Sequence, residues 1–155
     1  MSLVRTSLFL AVALILLPIG CKDDDSPTST GSTGVPTSLV GTWTLDSVTV
    51  NGVQADPGTL AALFGWPQEV ERVTIKVEAN GAYTLSGFDA ASQVLHTVQG
   101  TIAISGSNFT ITSTSENGQP INPPEVLAGT WAVVGNRLTL TISAQGLAIV
   151  ITATK

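Results

Sequence analysis

The sequence has one cysteine, one histidine and few charges, and each scarcity removes a class of chemistry. A single Cys excludes an intramolecular disulfide and any multi-cysteine zinc site. A single His excludes H-E-x-x-H metal sites and histidine clusters. With 6 Lys+Arg against 11 Asp+Glu, the net charge is −5. That balance provides no basic face to meet the phosphates of a nucleic acid. Charged residues are 11% of the chain, too few for a charge-driven disordered protein. There is no Walker loop or G-x-G-x-x-G turn to mark a nucleotide site, and although Ser residues are plentiful no G-x-S-x-G elbow marks one as a nucleophile, which makes a hydrolase using His96 the weakest reading. The expectation is a non-enzymatic chain that needs no cofactor and no metal. What is present is 155 residues, 43% of them apolar, a length that fits one domain.

The N-terminus reads as an address. Arg5 supplies a positive end, Leu8–Ile19 is an apolar run, and small residues precede Cys21. The run is shorter than the ~20 apolar residues of a spanning helix, so residues 1–20 read as a signal peptide, with an uncleaved anchor as the alternative. Leu17-Pro18-Ile19-Gly20-Cys21 resembles the lipobox of bacterial lipoproteins, with Pro18 standing where Leu is usual. That resemblance implies acyl chains on Cys21, and two or more chains anchor stably where one is marginal. Lys22-Asp23-Asp24-Asp25 resembles the Lys-plus-acidic tag of surface-displayed Bacteroidota lipoproteins. The implied location is the bacterial cell envelope, at the outer membrane and displayed on the cell surface. Ser26–Ser38, SPTSTGSTGVPTS, has no apolar period, so residues 21–38 read as a lipidated Cys and a flexible linker.

Residues 39–155 are rich in Thr, Val and Ile and punctuated by turn signals such as Asn51-Gly52, Asn80-Gly81, Asn117-Gly118 and Gly135-Asn136. Alternation between the turns predicts about eight strands: Gly41–Val50, Val70–Ala79, Ala82–Phe88, Gln93–Ile104, Asn108–Thr114, Gly129–Val134, Arg137–Ser143 and Leu147–Thr154. In the first strand the apolar phase slips between Leu45 and Val48, which predicts a bulge near Asp46-Ser47. One apolar face with short turns predicts an all-β, antiparallel up-and-down barrel. A β-sandwich is the competing solution, and a membrane barrel would invert the apolar face. The expected core includes Trp43, Val73, Ile75, Val77, Leu85, Val98, Ile102, Ile111, Leu138, Leu140 and Ile149.

One short helix is expected between strands one and two. Asp56-Pro57 supplies an N-cap and a first-turn Pro, Leu60, Leu63 and Phe64 share one face, and Gly65 ends it. So short a helix needs an apolar surface to cover, and the barrel mouth where strand one exits is such a surface. It would serve there as a lid or as a plug.

Leu39-Val40-Gly41-Thr42-Trp43 and the stretch Gly129-Thr130-Trp131 to Gly135-Asn136-Arg137-Leu138-Thr139-Leu140 resemble the lipocalin-like domains of bacterial lipoproteins. That resemblance spans residues 39–155 and implies an eight-stranded barrel whose interior takes one small apolar ligand. It also implies that Trp43 closes the barrel floor with an Arg stacked over it; Arg137 could be that partner, although it sits beside a turn instead of at the family position.

Four residues are candidates for contact with such a ligand. By parity His96 points inward with Val94 and Val98, as a polar anchor in an apolar pocket or as a core histidine satisfied by Tyr83 or a carbonyl. Tyr83, Leu63 and Phe64 complete the set. Large residues such as Phe109 and Trp131 argue for a filled barrel, whereas Ala82, Gly87 and Gly100 argue for space. The first function expected is therefore a monomeric cell-envelope lipoprotein, lipid-anchored to the membrane, binding a small hydrophobic ligand. The alternative is a structural or protein-interaction module with a filled barrel, presenting a loop such as Glu116–Glu125.

Overall fold

A computed structural model describes residues 34–55, 65–67, 69–144 and 146–155, all within the compact unit Ser32–Lys155. The described residues form nine strands and no helix: β1 (Gly41–Val50), β2 (Val53–Ala55), β3 (Arg72–Val77), β4 (Ala82–Phe88), β5 (Val94–Ser105), β6 (Asn108–Glu116), β7 (Gln119–Val134), β8 (Arg137–Ala144) and β9 (Leu147–Thr154). Of the expected helix, Asp56–Gly65, residues 56–64, Leu63 and Phe64 among them, lie outside the described residues.

Every pairing is antiparallel. The sheet runs β2-β1-β3-β4-β5-β6-β7-β8-β9 and closes through β1–β9. Closure makes it a barrel of eight long strands plus the short β2, and removes the sandwich alternative. The expected bulge is present: Leu45 faces Ala153 and Ser47 faces Thr152, which leaves Asp46 as the extra residue. The slip returns Val48 to the interior that Trp43 and Leu45 also face. β1 gives one edge to two partners, pairing Gly41–Thr44 with β3 and Val48–Val50 with β2. β2, which alternation alone did not predict, follows from Asn51-Gly52. Both residues have positive φ (50° and 81°), the backbone of a tight hairpin turn.

The core follows the predicted faces. Trp43, Val73, Ile75, Val77, Ile102, Leu138, Leu140 and Ile149 are buried, and Leu85, Val98 and Ile111 pack against them half-buried. Two expected inward residues are exposed instead. Val94 is 55% exposed because Leu95 bulges where β5 leaves β4, so that Gly87 pairs His96 but Phe88 pairs Val94. Leu147 is 36% exposed at the β8–β9 turn, past the point where β7 pairs with β8.

Glu116–Glu125 is not a loop. Glu116 pairs Gln119 and Ser115 pairs Pro120 across the Asn117-Gly118 turn, so β6 and β7 run on as one long hairpin. Pro120, Pro123 and Pro124 are tolerated there because β8 pairs only with Gly129–Val134, which leaves the earlier part of β7 an edge strand.

Candidate functional site

The two ends of the barrel are built differently. At the end where β1 begins, Trp43 is fully buried and its indole N–H donates to the Leu39 carbonyl at 2.8 Å. Lys155 lies over its ring, Nζ 4.3 Å from the centroid, and donates to the carbonyls of Val40 (2.6 Å) and Ser38 (3.1 Å). Gly41 (φ 135°) makes this crossing feasible, because a Cβ there would stand 2.8 Å from Lys155 Cε. The cation over Trp43 is therefore Lys155 and not Arg137, which is exposed at the β7–β8 turn. The sequence did carry a signal for it: a closed barrel sets the end of its last strand beside the start of its first.

At the opposite end Trp66 enters the barrel. It is 7% exposed, and its ring stands 4.5 Å from the His96 imidazole at a 30° tilt. Gly87 makes room for it, since a Cβ there would lie 3.1 Å from the indole. The small residues do not open space: Gly87 admits Trp66, and a Cβ on Gly100 would collide with the Thr112 carbonyl of β6. Trp66 lies outside the strands, where alternation assigns no face, so no sequence pattern marks it for the mouth.

His96 is buried, as parity predicted, but its partners are not Tyr83. The Thr97 amide donates to Asn117 Oδ1 at 2.9 Å. That fixes the Asn117 amide so that its Nδ2 donates to His96 Nδ1 at 3.1 Å. In the neutral ring the proton then sits on Nε2. Nε2 lies 2.8 Å from Glu116 Oε1. The carboxylate stands off the N–H direction, so this buried nitrogen has electrostatic contact with it but no well-directed hydrogen bond. Asn117 and Glu116 come from the turn of the β6–β7 hairpin. No sequence pattern pairs them with His96, because the contact depends on the β5–β6 register.

Tyr83 is placed apart from His96. Its register partner is Gly100, whereas His96 pairs Gly87, four residues further along β4, which is about 13 Å of strand. The Tyr83 hydroxyl meets Ser113 Oγ at 2.7 Å. Its pKa is raised, first by burial and further by the negative charge of Glu125, against the Ser113 hydrogen bond that lowers it.

The interior is nearly filled beside Tyr83. The enclosed apolar cavity lined by Leu39, Ile75, Val77, Tyr83, Ile102, Ile111, Leu138 and Leu140 measures about 10 Å³, scarcely enough for one water. Toward the His96 end, the paired Leu85 and Val98 face inward yet stay half-buried. Beside Tyr83 the interior has no room for a ligand.

No family model matches the sequence, and no curated protein matches it. Among solved structures the chain is similar to fatty-acid-binding protein 1 of Echinococcus granulosus, at 14% identity and a TM-score of 0.41, covering 76% of this chain and 97% of that one. It is also similar to the fluorescent protein UnaG, at 11% identity and a TM-score of 0.42, with 76% and 97% covered. The likeness is one of β-barrel fold alone.

Proposed function

We propose that this protein is a monomeric bacterial cell-envelope lipoprotein, anchored through acylated Cys21 at the outer membrane and displayed on the surface, whose barrel binds a small apolar ligand at the His96 end. The observation that carries the ligand reading is the inward-facing, half-buried pair Leu85 and Val98, next to the Gly87–His96 pair. Apolar side chains left partly wet inside a barrel gain free energy when a ligand covers them, roughly 25 cal/mol per Å². A binding role without catalysis accords with His96, whose two ring nitrogens face Asn117 and Glu116 instead of a nucleophile. A second reading, a filled barrel serving as an interaction module, draws on the cavity of only about 10 Å³ beside Tyr83.

Titration of the full chain with the neutral apolar probe N-phenylnaphthylamine separates the two. The ligand reading expects saturable binding that Val98→Trp abolishes while the barrel stays folded by circular dichroism. No saturable binding selects the filled module. For the anchor, Cys21→Ser protein expressed in bacterial cells should lose its acyl mass and leave the membrane fraction. Retention in the membrane would favour an uncleaved apolar anchor.

A further inference from the structure

We propose that His96 and the tip of the β6–β7 hairpin form an acid-operated switch, in which a proton on His96 turns the Asn117 side chain over and takes it from Thr97. The switch does not depend on the ligand-binding reading. Two Asn-Gly turns of the barrel are built alike. Asn51 and Asn117 both adopt φ 50°. Each donates its backbone N–H to a carbonyl on a neighbouring strand, Asn51 to Ala148 and Asn117 to Thr97, both at 2.8 Å. Each then accepts that residue's amide N–H on its side-chain Oδ1, at 3.0 Å from Ala148 and 2.9 Å from Thr97. Only Asn117 also meets an imidazole. Its Nδ2 donates to His96 Nδ1 at 3.1 Å, and the chain has no other His.

These bonds form a relay with a fixed direction. Thr97 N–H can only donate, so Asn117 accepts with Oδ1 and donates with Nδ2, and His96 Nδ1 must accept. The neutral imidazole satisfies this, with its proton on Nε2 beside Glu116 Oε1. The imidazolium cannot, because both its nitrogens donate. When water delivers a proton to Nδ1, donor faces donor across the 3.1 Å contact. His96 is 5% exposed, whereas Thr97 is half-buried and Asn117 is exposed. A buried charged donor costs more to leave unmet than a backbone amide that water reaches. The Asn117 amide therefore turns over, Oδ1 accepts from Nδ1–H, and Thr97 N–H is left to water. The charged groups around His96 do not bar the proton. Glu116 meets Nε2 from the hairpin, Glu69 and Glu71 lie on the segment that leads into β3, and Asp89 follows β4. Arg72, the one cation there, is stacked on Phe88, and Trp66 sets a neutral ring against the imidazole. Imidazole is the side chain that ordinarily gains its charge between about pH 8 and pH 5.

The test is amide hydrogen exchange in the full chain, followed by NMR at about pH 7.5 and about pH 5.5 and expressed as protection relative to an unstructured chain at the same pH. Protection at Thr97 should fall about tenfold on acidification, the worth of about one hydrogen bond. Protection at Ala148, on the matching turn without an imidazole, should stay constant. In His96→Gln a side-chain oxygen accepts from Nδ2 at either pH, so Thr97 should keep its protection in acid. Unchanged protection at Thr97 in the parent overturns the switch. Equal falls at Thr97 and Ala148 report acid loosening of the whole barrel and overturn it as well. A fall at Thr97 that survives His96→Gln assigns the proton to a carboxylate and overturns it too. The comparison of Thr97 with Ala148 needs no variant, and it decides even if His96→Gln does not fold.

Discussion

Lys155 closes the barrel floor with a stacked charge and two hydrogen bonds. Its ammonium covers the Trp43 face and ties down Ser38 and Val40. The chain segment before β1 is thereby strapped across the end of the barrel. Replacing Lys155 with Met keeps a flexible stem but removes the charge. The expected loss is about 1 kcal/mol, in the range of a partly exposed cation–π contact. Arg137→Ala, which removes an exposed cation touching nothing at the floor, should change stability by less than about 0.5 kcal/mol. Urea unfolding of the two variants against the parent measures both. Equal losses would mean that Lys155 does not seal the floor.

At the scale of elements, the β6–β7 hairpin is held by its own turn. Asn117 adopts positive φ (50°), donates its backbone N–H to Thr97, accepts from the Thr97 amide through Oδ1 and donates through Nδ2 to His96. One residue therefore sets the hairpin against β5 and fixes the imidazole. Asn117→Ala should cost about 2–3 kcal/mol, from two lost side-chain hydrogen bonds and a left-handed backbone that Ala resists. Asn117→Gly restores the backbone freedom and should recover about 1 kcal/mol of that. Amide exchange at Thr97 should accelerate in both variants, and unchanged exchange there would contradict the latch. The Asn-Gly pair was visible in the sequence as a turn signal. Its side-chain partners were not, because Thr97 and His96 come alongside only once β5 and β6 are in register. For the same reason Glu116–Glu125 reads as a Pro-rich loop by composition yet folds as strand: the register Ser115↔Pro120 is set by the two-residue turn.

For the whole molecule, the inner and outer faces of each strand carry unequal weight. Leu140 is 4% exposed and borders the cavity beside Tyr83. Truncation to Ala enlarges a void that neighbours in a closed barrel cannot collapse to fill, and should cost about 2–5 kcal/mol. Thr139, one residue earlier on the outer face, should cost below about 1 kcal/mol when changed to Ala. Thermal or urea unfolding of the pair measures the difference, and similar losses would contradict the face assignment.

The sequence by itself left β2, the early part of β7 and the exposure of Val94 and Leu147 undetermined, but it determined the eight long strands in outline, most of their inward residues, the Asp46 bulge and the burial of Trp43 and His96. Each of these follows from local rules: the period of two along a strand, the positive φ of Asn-Gly turns and the burial of apolar side chains. Only the tertiary structure decided which cation stacks on Trp43, what the glycines are for and what holds His96. It also decided that the two ligand candidates within the described residues, His96 and Tyr83, stand apart. These are contacts between residues far apart in the chain: Lys155 meets Val40, Asn117 meets His96, Trp66 meets Gly87. They arise from closure and from the register of one strand against another, which fixes which residues meet and which the alternation along a single strand does not carry.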